Sequence, residues 1–321
     1  MSRTAILLAS ISVLALSPAA AEEFRLGHVA TEASIHHKMI GDFADRVRAE
    51  TAGRVDFKIF PAGQLGSEVE QVEGALIGAI DGVALASGAL SNFVPELRIL
   101  DLPYIFDDTD HFKRVWDGPF AAKVDEAAAA KNIKFLCASS TGFRNILTTS
   151  PVNSIDDLKN RKIRTIQSPV HIAAFNGFGA LATPLPYTEV YSGLQTGLID
   201  GADAGNQNYE DAKFYEVAPH WALVGWVPTS YLMVMSKLSF DRLSAEDQAV
   251  VAKAAKDGCT WLTDTIAAGE VETLQRLESK GVKITRPDLA PFKASSEPQR
   301  AAYVGDDPVR KEWNQLMQDA K

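Results

Sequence analysis

The first third of the chain alternates between apolar positions spaced two residues apart and apolar positions spaced about four apart. Residues 24–29 predict a strand, and the helix that follows begins after Ser34, a residue suited to cap its first turn. Alternating apolar residues over 55–59 predict a second strand, Ser67 opens a second helix, and 83–85 form a third strand. This strand, helix, strand, helix, strand order predicts parallel strands that are covered by helices.

A second α/β segment follows in the middle of the chain. The pattern there predicts a strand at 135–138, a short helix from Ser154, a strand around Arg164, and helices at 169–178 and 188–196. Two similar α/β halves predict two lobes with a cleft between them. No internal sequence repeat accompanies this order.

The C-terminal third begins with one long helix. Ser244 can cap it, no proline occurs over 245–280, and Gly281 ends it. A helix of that length spans about 50 Å, which is more than one lobe. The apolar residues do not keep a seven-residue repeat, and this disfavours a coiled coil.

The N-terminus predicts export. Arg3 precedes an apolar run of twelve residues, 5–16, and Ala19–Ala21 supply the small residues of a cleavage site. Twelve residues are too few for a transmembrane helix, which needs about 20. Residues 1–21 are therefore predicted to be a signal peptide, and residues 22–321 the exported periplasmic protein.

The composition is acidic, with a formal net charge of −9. Removal of the signal peptide makes it −10, because Arg3 is the only charged residue in that segment. A strongly acidic chain is a poor candidate for binding nucleic acid or an anionic membrane surface. It can still bind a small anion, which responds to the local charge of a pocket.

The two cysteines, Cys137 and Cys259, lie far apart in the sequence. An oxidising compartment would allow them to pair. Both lie in apolar surroundings, however, and free cysteine is among the most buried residue types. The sequence therefore favours two buried free thiols over a disulfide.

Most motifs of catalysis and cofactor binding are missing from the sequence. The six histidines form no zinc-binding pattern, and neither a phosphate-binding loop nor a serine nucleophile motif occurs. Residues 177–182 match Gly-x-Gly-x-x-Ala, but they follow a predicted helix instead of a strand, and Pro184 prevents a helix from starting there. We therefore predict no metal, no cofactor and no catalytic residue.

Two arginines twenty positions apart carry the candidate chemistry. Arg164 lies on a predicted strand just before Ser168 and Pro169, which suit a helix start. An arginine at such a junction points into a cleft, and its planar guanidinium can hold a carboxylate through two parallel hydrogen bonds. The alternative is a surface strand arginine in a salt bridge, since most arginines are solvated. Arg144 is the second arginine.

Four segments together resemble the DctP-type solute-binding proteins of tripartite ATP-independent periplasmic (TRAP) transporters. They are residues 60–66, 102–106, 142–144 and 162–164. The resemblance implies an α/β, two-lobed periplasmic binding protein (type II-like), with a ligand cleft between lobes and a long C-terminal helix that crosses both. It also implies hinge strands near residues 140 and 230. The expected lobes are 22–140 with 230–268, and 141–229 with 269–321.

The resemblance also implies a ligand site. Arg164 would pair with a carboxylate, Arg144 would add a second cation, and Tyr187 would pack on the ligand, although packing on its own helix is equally expected. The other candidates for contacts with the ligand, chiefly its hydroxyl groups, are Glu70, Glu73, Asp203, Asn206 and His28. The family's usual Glu-Asn pair falls on Asp203-Ala204 in this sequence. Asn206 or Gln207 would have to replace the missing asparagine, and the sequence leaves this choice open.

The predicted function is that of a periplasmic receptor that binds a small organic acid and delivers it, as a monomer, to a membrane permease driven by an ion gradient. A sugar acid is favoured over a C4-dicarboxylate or an aromatic acid, because the candidate pocket is rich in acids and amides that would repel a second carboxylate. Two other classes remain open at this stage. One is a ligand-presenting sensor protein, and the other is an exported sugar-acid enzyme, for which no general base is evident.

Overall fold

A computed structural model describes residues 22–321 of the chain, and the predicted signal peptide lies outside the described residues. The strands are β1 (Glu22–His28), β2 (Val55–Phe60), β3 (Gly82–Ala86), β4 (Ile133–Phe143), β5 (Asn145–Thr148), β6 (Lys162–Thr165), β7 (Leu181–Pro184), β8 (Gly201–Ala204), β9 (His220–Ala222), β10 (Pro228–Ser236) and β11 (Lys283–Thr285).

The α-helices are α1 (Ile35–Glu50), α2 (Glu68–Leu76), α3 (Ser87–Leu90), α4 (Thr109–Asp117), α5 (Phe120–Ala129), α6 (Pro169–Gly177), α7 (Val190–Thr196), α8 (Asn206–Asp211), α9 (Lys237–Phe240), α10 (Ala245–Ser279), α11 (Ala290–Val304) and α12 (Pro308–Asp319). Short 3-10 turns occupy Pro95–Asp101, Ile155–Leu158, Tyr187–Glu189 and Phe214–Glu216. None of these helices has both the length and the hydropathy needed to cross a bilayer.

The strands form two sheets, one in each lobe. The first has the order β2-β1-β3-β10-β4 and the second β11-β9-β5-β8-β6-β7. β1 is parallel to β2 and β3, as the sequence predicts, while β10 is antiparallel to β3 and β4. The chain passes to the second sheet between β4 and β5 and returns between β9 and β10. The predicted two-lobed α/β architecture is confirmed.

Helix α10 joins the two lobes as predicted. Ser244 caps it by accepting the Asp247 N–H. Its first half packs Val251 and Leu262 into the core behind the first sheet, and Leu277 near its end packs into a core of the second lobe. The helix therefore passes from one lobe to the other between Leu262 and Leu277.

The predicted assignment of residues 269–321 to the second lobe is wrong for the last helix. Phe292 on α11 packs with the second lobe. Trp313 and Met317 on α12 lie instead in a first-lobe core, with the Trp313 ring 5.2 Å from that of Phe120. The apolar face of α12 is buried only by its return to the first lobe, and a local sequence pattern does not reveal which lobe provides that surface.

The prediction of two free thiols is also wrong. Cys137 on β4 and Cys259 on α10 form a disulfide, with their Cα atoms 6.1 Å apart. Helix α10 packs directly against β4 and the two residues belong to one core, so the fold places them face to face. Their sequence separation of 122 residues conceals this proximity.

Candidate functional site

A cavity lies between the two lobes and is lined by residues of both. The carboxyl ends of β1, β3, β6 and β8 converge on it, as expected of a ligand site in open α/β sheets. Its polar lining consists chiefly of His36, Glu68, Arg144, Arg164, Tyr187, Asp203 and Asn208. Val29, Ala86 and Ile166 provide an apolar wall.

Arg164 is the cavity cation with the most unused hydrogen-bonding capacity. Its side chain is buried, and its Nε donates to the carbonyl oxygen of Leu185 at 2.8 Å. Among residues 22–321 its two terminal nitrogens donate to no protein acceptor. Burial lowers the pKa of Arg164 to about 10, with the like charge of Arg144 contributing and Asp203 opposing. The side chain is therefore charged at neutral pH and can accept a carboxylate in the cavity.

Arg144 also lines the cavity, but its charge is already paired. Its Nε lies 2.5 Å from Oδ2 of Asp203, and one terminal nitrogen lies 2.8 Å from Oδ1. The other terminal nitrogen donates to Thr229, and Trp226 donates to the same carboxylate. Burial alone would raise the pKa of Asp203, but Arg144 outweighs it and the pKa lies below its ordinary value. The two predicted site residues thus form a neutral pair, and Asp203 has little free capacity for a ligand.

Besides the paired Asp203, the cavity is lined by a second acid, Glu68. Its Oε1 accepts the Ala86 N–H at 2.9 Å, and burial raises its pKa, although that hydrogen bond and the nearby arginines oppose the rise. The structure does not bring the predicted Glu70 and Glu73 to the cavity. Glu70 accepts hydrogen bonds from Ser67 in the helix cap, and Glu73 is exposed. The capping motif itself could have shown that the carboxylate of Glu70 was already occupied.

The histidine that lines the cavity is His36, whereas the sequence pointed to His28. His28 is buried against His37, whose Nδ1 lies 3.0 Å from its Nε2, and burial lowers its pKa to about 3. His36 lies on the first turn of α1, and burial lowers its pKa to about 4, so its ring is neutral. Its Nε2 is buried and has no hydrogen-bond partner among the described residues.

The amide in the cavity belongs to Asn208, and not to Asn206 or Gln207. Asn206 is held by other side chains, because it accepts from Trp221 and donates to Glu270. Gln207 donates within its own helix. Asn208 lines the cavity with a buried Oδ1 that has no partner in the described part of the chain. Asn208 lies four positions after Ala204, one residue beyond the range that the sequence suggested for a pocket amide.

Tyr187 lines the cavity and also packs against an aromatic residue outside its own helix. It lines the cavity, where its ring lies 5.9 Å from the guanidinium carbon of Arg164. It also packs edge-on against Phe214 at 5.8 Å. Burial raises the pKa of its hydroxyl, which is therefore neutral.

The lobes are closed on each other around the cavity. Asn92 in the first lobe donates to the carbonyl oxygen of Gln167 in the second at 2.7 Å. A Cβ atom at Gly88 would lie 3.1 Å from a methyl group of Ile166 and 3.3 Å from Cβ of Ser168. Glycine at position 88 therefore allows the close approach of the two lobes.

The arrangement suits binding better than chemical conversion. One unpaired guanidinium faces the cavity together with an acid, an amide and a neutral imidazole, which can accept or donate hydrogen bonds. In residues 22–321, no group of three or more histidine, cysteine, aspartate or glutamate side chains is placed to hold a metal ion.

Comparisons with known proteins agree with this description. A family model for bacterial extracellular solute-binding proteins, family 7, matches residues 26–306. A solute-binding protein of Verminephrobacter eiseniae is 34% identical, and the match covers 89% of this chain and 86% of that protein.

Two crystal structures of TRAP periplasmic solute-binding proteins are also similar. The protein from Xanthobacter autotrophicus with bound β-D-galacturonate is 31% identical with a TM-score of 0.89, and the match covers 93% of this chain and 100% of that one. The protein from Bradyrhizobium with bound α/β-D-galacturonate is 33% identical with a TM-score of 0.88 and the same coverage.

Proposed function

This chain belongs to the bacterial extracellular solute-binding protein family 7, and we propose that its ligand is a hexuronate or a closely related sugar monocarboxylate. Its role is that of a TRAP-type solute receptor and not of an enzyme. The ligand is held unchanged between the lobes and passed on to a transporter.

The observation that carries the proposal is the unequal state of the two arginines. Arg144 is neutralised by Asp203, while the terminal nitrogens of Arg164 donate to no acceptor among the described residues. One available guanidinium matches one carboxylate, which it can hold through two parallel hydrogen bonds. A second carboxylate on the ligand would face Glu68 and the Oδ1 of Asn208 without a cation to balance it.

The remaining lining suits a hydroxylated ring. Glu68 and Asn208 offer oxygen acceptors to hydroxyl groups, and the Nε2 of His36 can donate or accept depending on its tautomer. Val29 and Ile166 provide apolar surface for the C–H face of a sugar. The two galacturonate-bound relatives support a ligand of this size and chemistry.

Ligand capture follows from the position of the cavity. Its lining comes from both lobes, so one ligand can touch all of these side chains only when the lobes are closed. A ligand that binds the closed form better shifts the population toward it. We assign delivery to a membrane permease, export through residues 1–21 into the periplasm, and a monomeric state to the same proposal.

Isothermal titration calorimetry with three matched compounds tests the ligand class. D-Galactose lacks the carboxylate, D-galacturonate has one, and galactarate has two. We expect tight binding of D-galacturonate alone, and its recovery unchanged after prolonged incubation. Equal affinity for galactarate, or binding of succinate with no response to any sugar acid, would contradict the proposed ligand. Consumption of the ligand would contradict the receptor role.

A further inference from the structure

One hydrogen bond across the cleft joins two helices that each carry a cavity side chain. Asp211, the last residue of α8 in the second lobe, accepts the backbone N–H of Ile35 with its Oδ2 at 3.3 Å. Ile35 is the first residue of α1 in the first lobe. Its N–H is one of those that a helix leaves without a partner in its own first turn.

Each of the two helices presents one cavity group that has no hydrogen-bond partner among the described residues. His36 follows Ile35 directly on α1, and Asn208 lies one turn before Asp211 on α8. The Nε2 of His36 and the Oδ1 of Asn208 are both buried without a hydrogen-bond partner among the described residues. The spacing of these two atoms depends on how α1 and α8 approach each other.

Asp211 is itself held in place. Gln207 donates to its Oδ1 at 2.7 Å, and the Oε1 of Gln207 accepts from Thr273 on α10 at 3.2 Å. This chain of hydrogen bonds fixes the carboxylate to the helix that spans both lobes. A carboxylate near a helix N-terminus is also favoured by the helix dipole.

We propose that Asp211 is a positioning residue whose bond to the N-terminus of α1 holds His36 and Asn208 at the spacing that the ligand's hydroxyl groups require, and so slows ligand release. The proposal rests on the proposed function, since it assumes a hydroxylated ligand. Asp211 does not line the cavity, so its effect on the ligand is indirect. The bond joins different lobes and is lost when they separate.

A double-mutant cycle measures this coupling. Asp211→Ala, His36→Ala and the double variant are compared with the wild type by stopped-flow and calorimetric binding of D-galacturonate. We expect Asp211→Ala to raise the dissociation rate about 10-fold, which corresponds to the loss of its one hydrogen bond across the cleft. The association rate and the melting temperature without ligand should stay unchanged, and the effect should be clearly smaller in the His36→Ala background.

Two further variants provide the control and the rescue. Asp42→Asn removes an exposed carboxylate that pairs with Lys38 on α1, so it should leave the dissociation rate unchanged. Asp211→Asn keeps an oxygen acceptor and should restore part of the slow release.

Fully additive effects of Asp211→Ala and His36→Ala, or an unchanged dissociation rate, would overturn the proposal. So would a lower melting temperature without ligand, which would show a structural role. If wild-type protein does not bind D-galacturonate, it is the proposed ligand that fails. The cycle then uses the organic acid that shifts the melting temperature of the wild type in a screen, and the same outcomes apply.

Discussion

Replacement of Arg164 by alanine should abolish tight ligand binding while the two lobes remain folded. The substitution removes the two terminal nitrogens that face the cavity. Loss of one partner from a buried, hydrogen-bonded charge pair costs about 2–5 kcal/mol. This corresponds to a loss in affinity of roughly 30- to 4,000-fold.

The cost to folding should be much smaller. Within the described part of the chain, the only hydrogen bond of the Arg164 side chain is the one from its Nε to the carbonyl oxygen of Leu185. Its loss should lower the free energy of unfolding by about 1 kcal/mol. Arg164→Lys keeps the charge but loses the planar fork, so its affinity should lie between those of wild type and Arg164→Ala.

Calorimetric titration with D-galacturonate, together with urea unfolding, measures both effects. Arg161→Ala is the matched control. The guanidinium of Arg161 donates to the carbonyl oxygens of Ser150 and Pro151 and lies outside the cavity. This variant should keep the wild-type affinity. Binding by Arg164→Ala within about threefold of wild type, or its failure to fold, would refute the assignment of Arg164 as the carboxylate ligand.

Three further outcomes are expected. Replacing Cys137 and Cys259 together by serine opens a loop of 122 residues and should lower the free energy of unfolding by about 3–5 kcal/mol; a urea midpoint equal to that of wild type would exclude this stabilisation. Gly88→Val should hold the lobes apart, giving weaker binding and a larger radius of gyration with ligand by small-angle scattering; wild-type values for both would argue against the contact. Because the pKa of Asp203 is depressed in the folded protein, its contribution to the free energy of unfolding is complete above its unfolded pKa of about 3.9 and is lost as the pH falls through the lower folded value. Melting temperatures should therefore drop steeply below about pH 4, and less steeply for Asp203→Asn. Parallel melting curves for the two proteins would contradict this.

The elements that the sequence predicts well are those with local signals. Helix α10 is predicted at 245–280 and found at Ala245–Ser279, because its cap and its stop lie in the sequence itself. The strand of Arg164 and the helix that follows are predicted for the same reason. Strand β10 and helix α12 are different, because distant parts of the chain decide where they pack.

The candidate site is likewise predicted only as far as local sequence signals reach. Arg164 and Arg144 are found in the cavity because strand ends and family motifs locate them. Glu68 and Asn208 are missed, although each lies within two residues of a predicted site residue, and His36 is missed eight residues after the predicted His28. At this scale the direction in which a side chain points decides which neighbour reaches the cavity, and helix periodicity alone does not fix that direction.

The central claim is that Arg164 holds the carboxylate of a sugar acid while Arg144 stays paired with Asp203. A crystal structure of the protein with D-galacturonate tests it most directly. It should show both carboxylate oxygens within about 3 Å of the terminal nitrogens of Arg164, with the Arg144–Asp203 pair intact. A carboxylate bound to Arg144 in place of Asp203, or a ligand outside the cavity between the lobes, would contradict it.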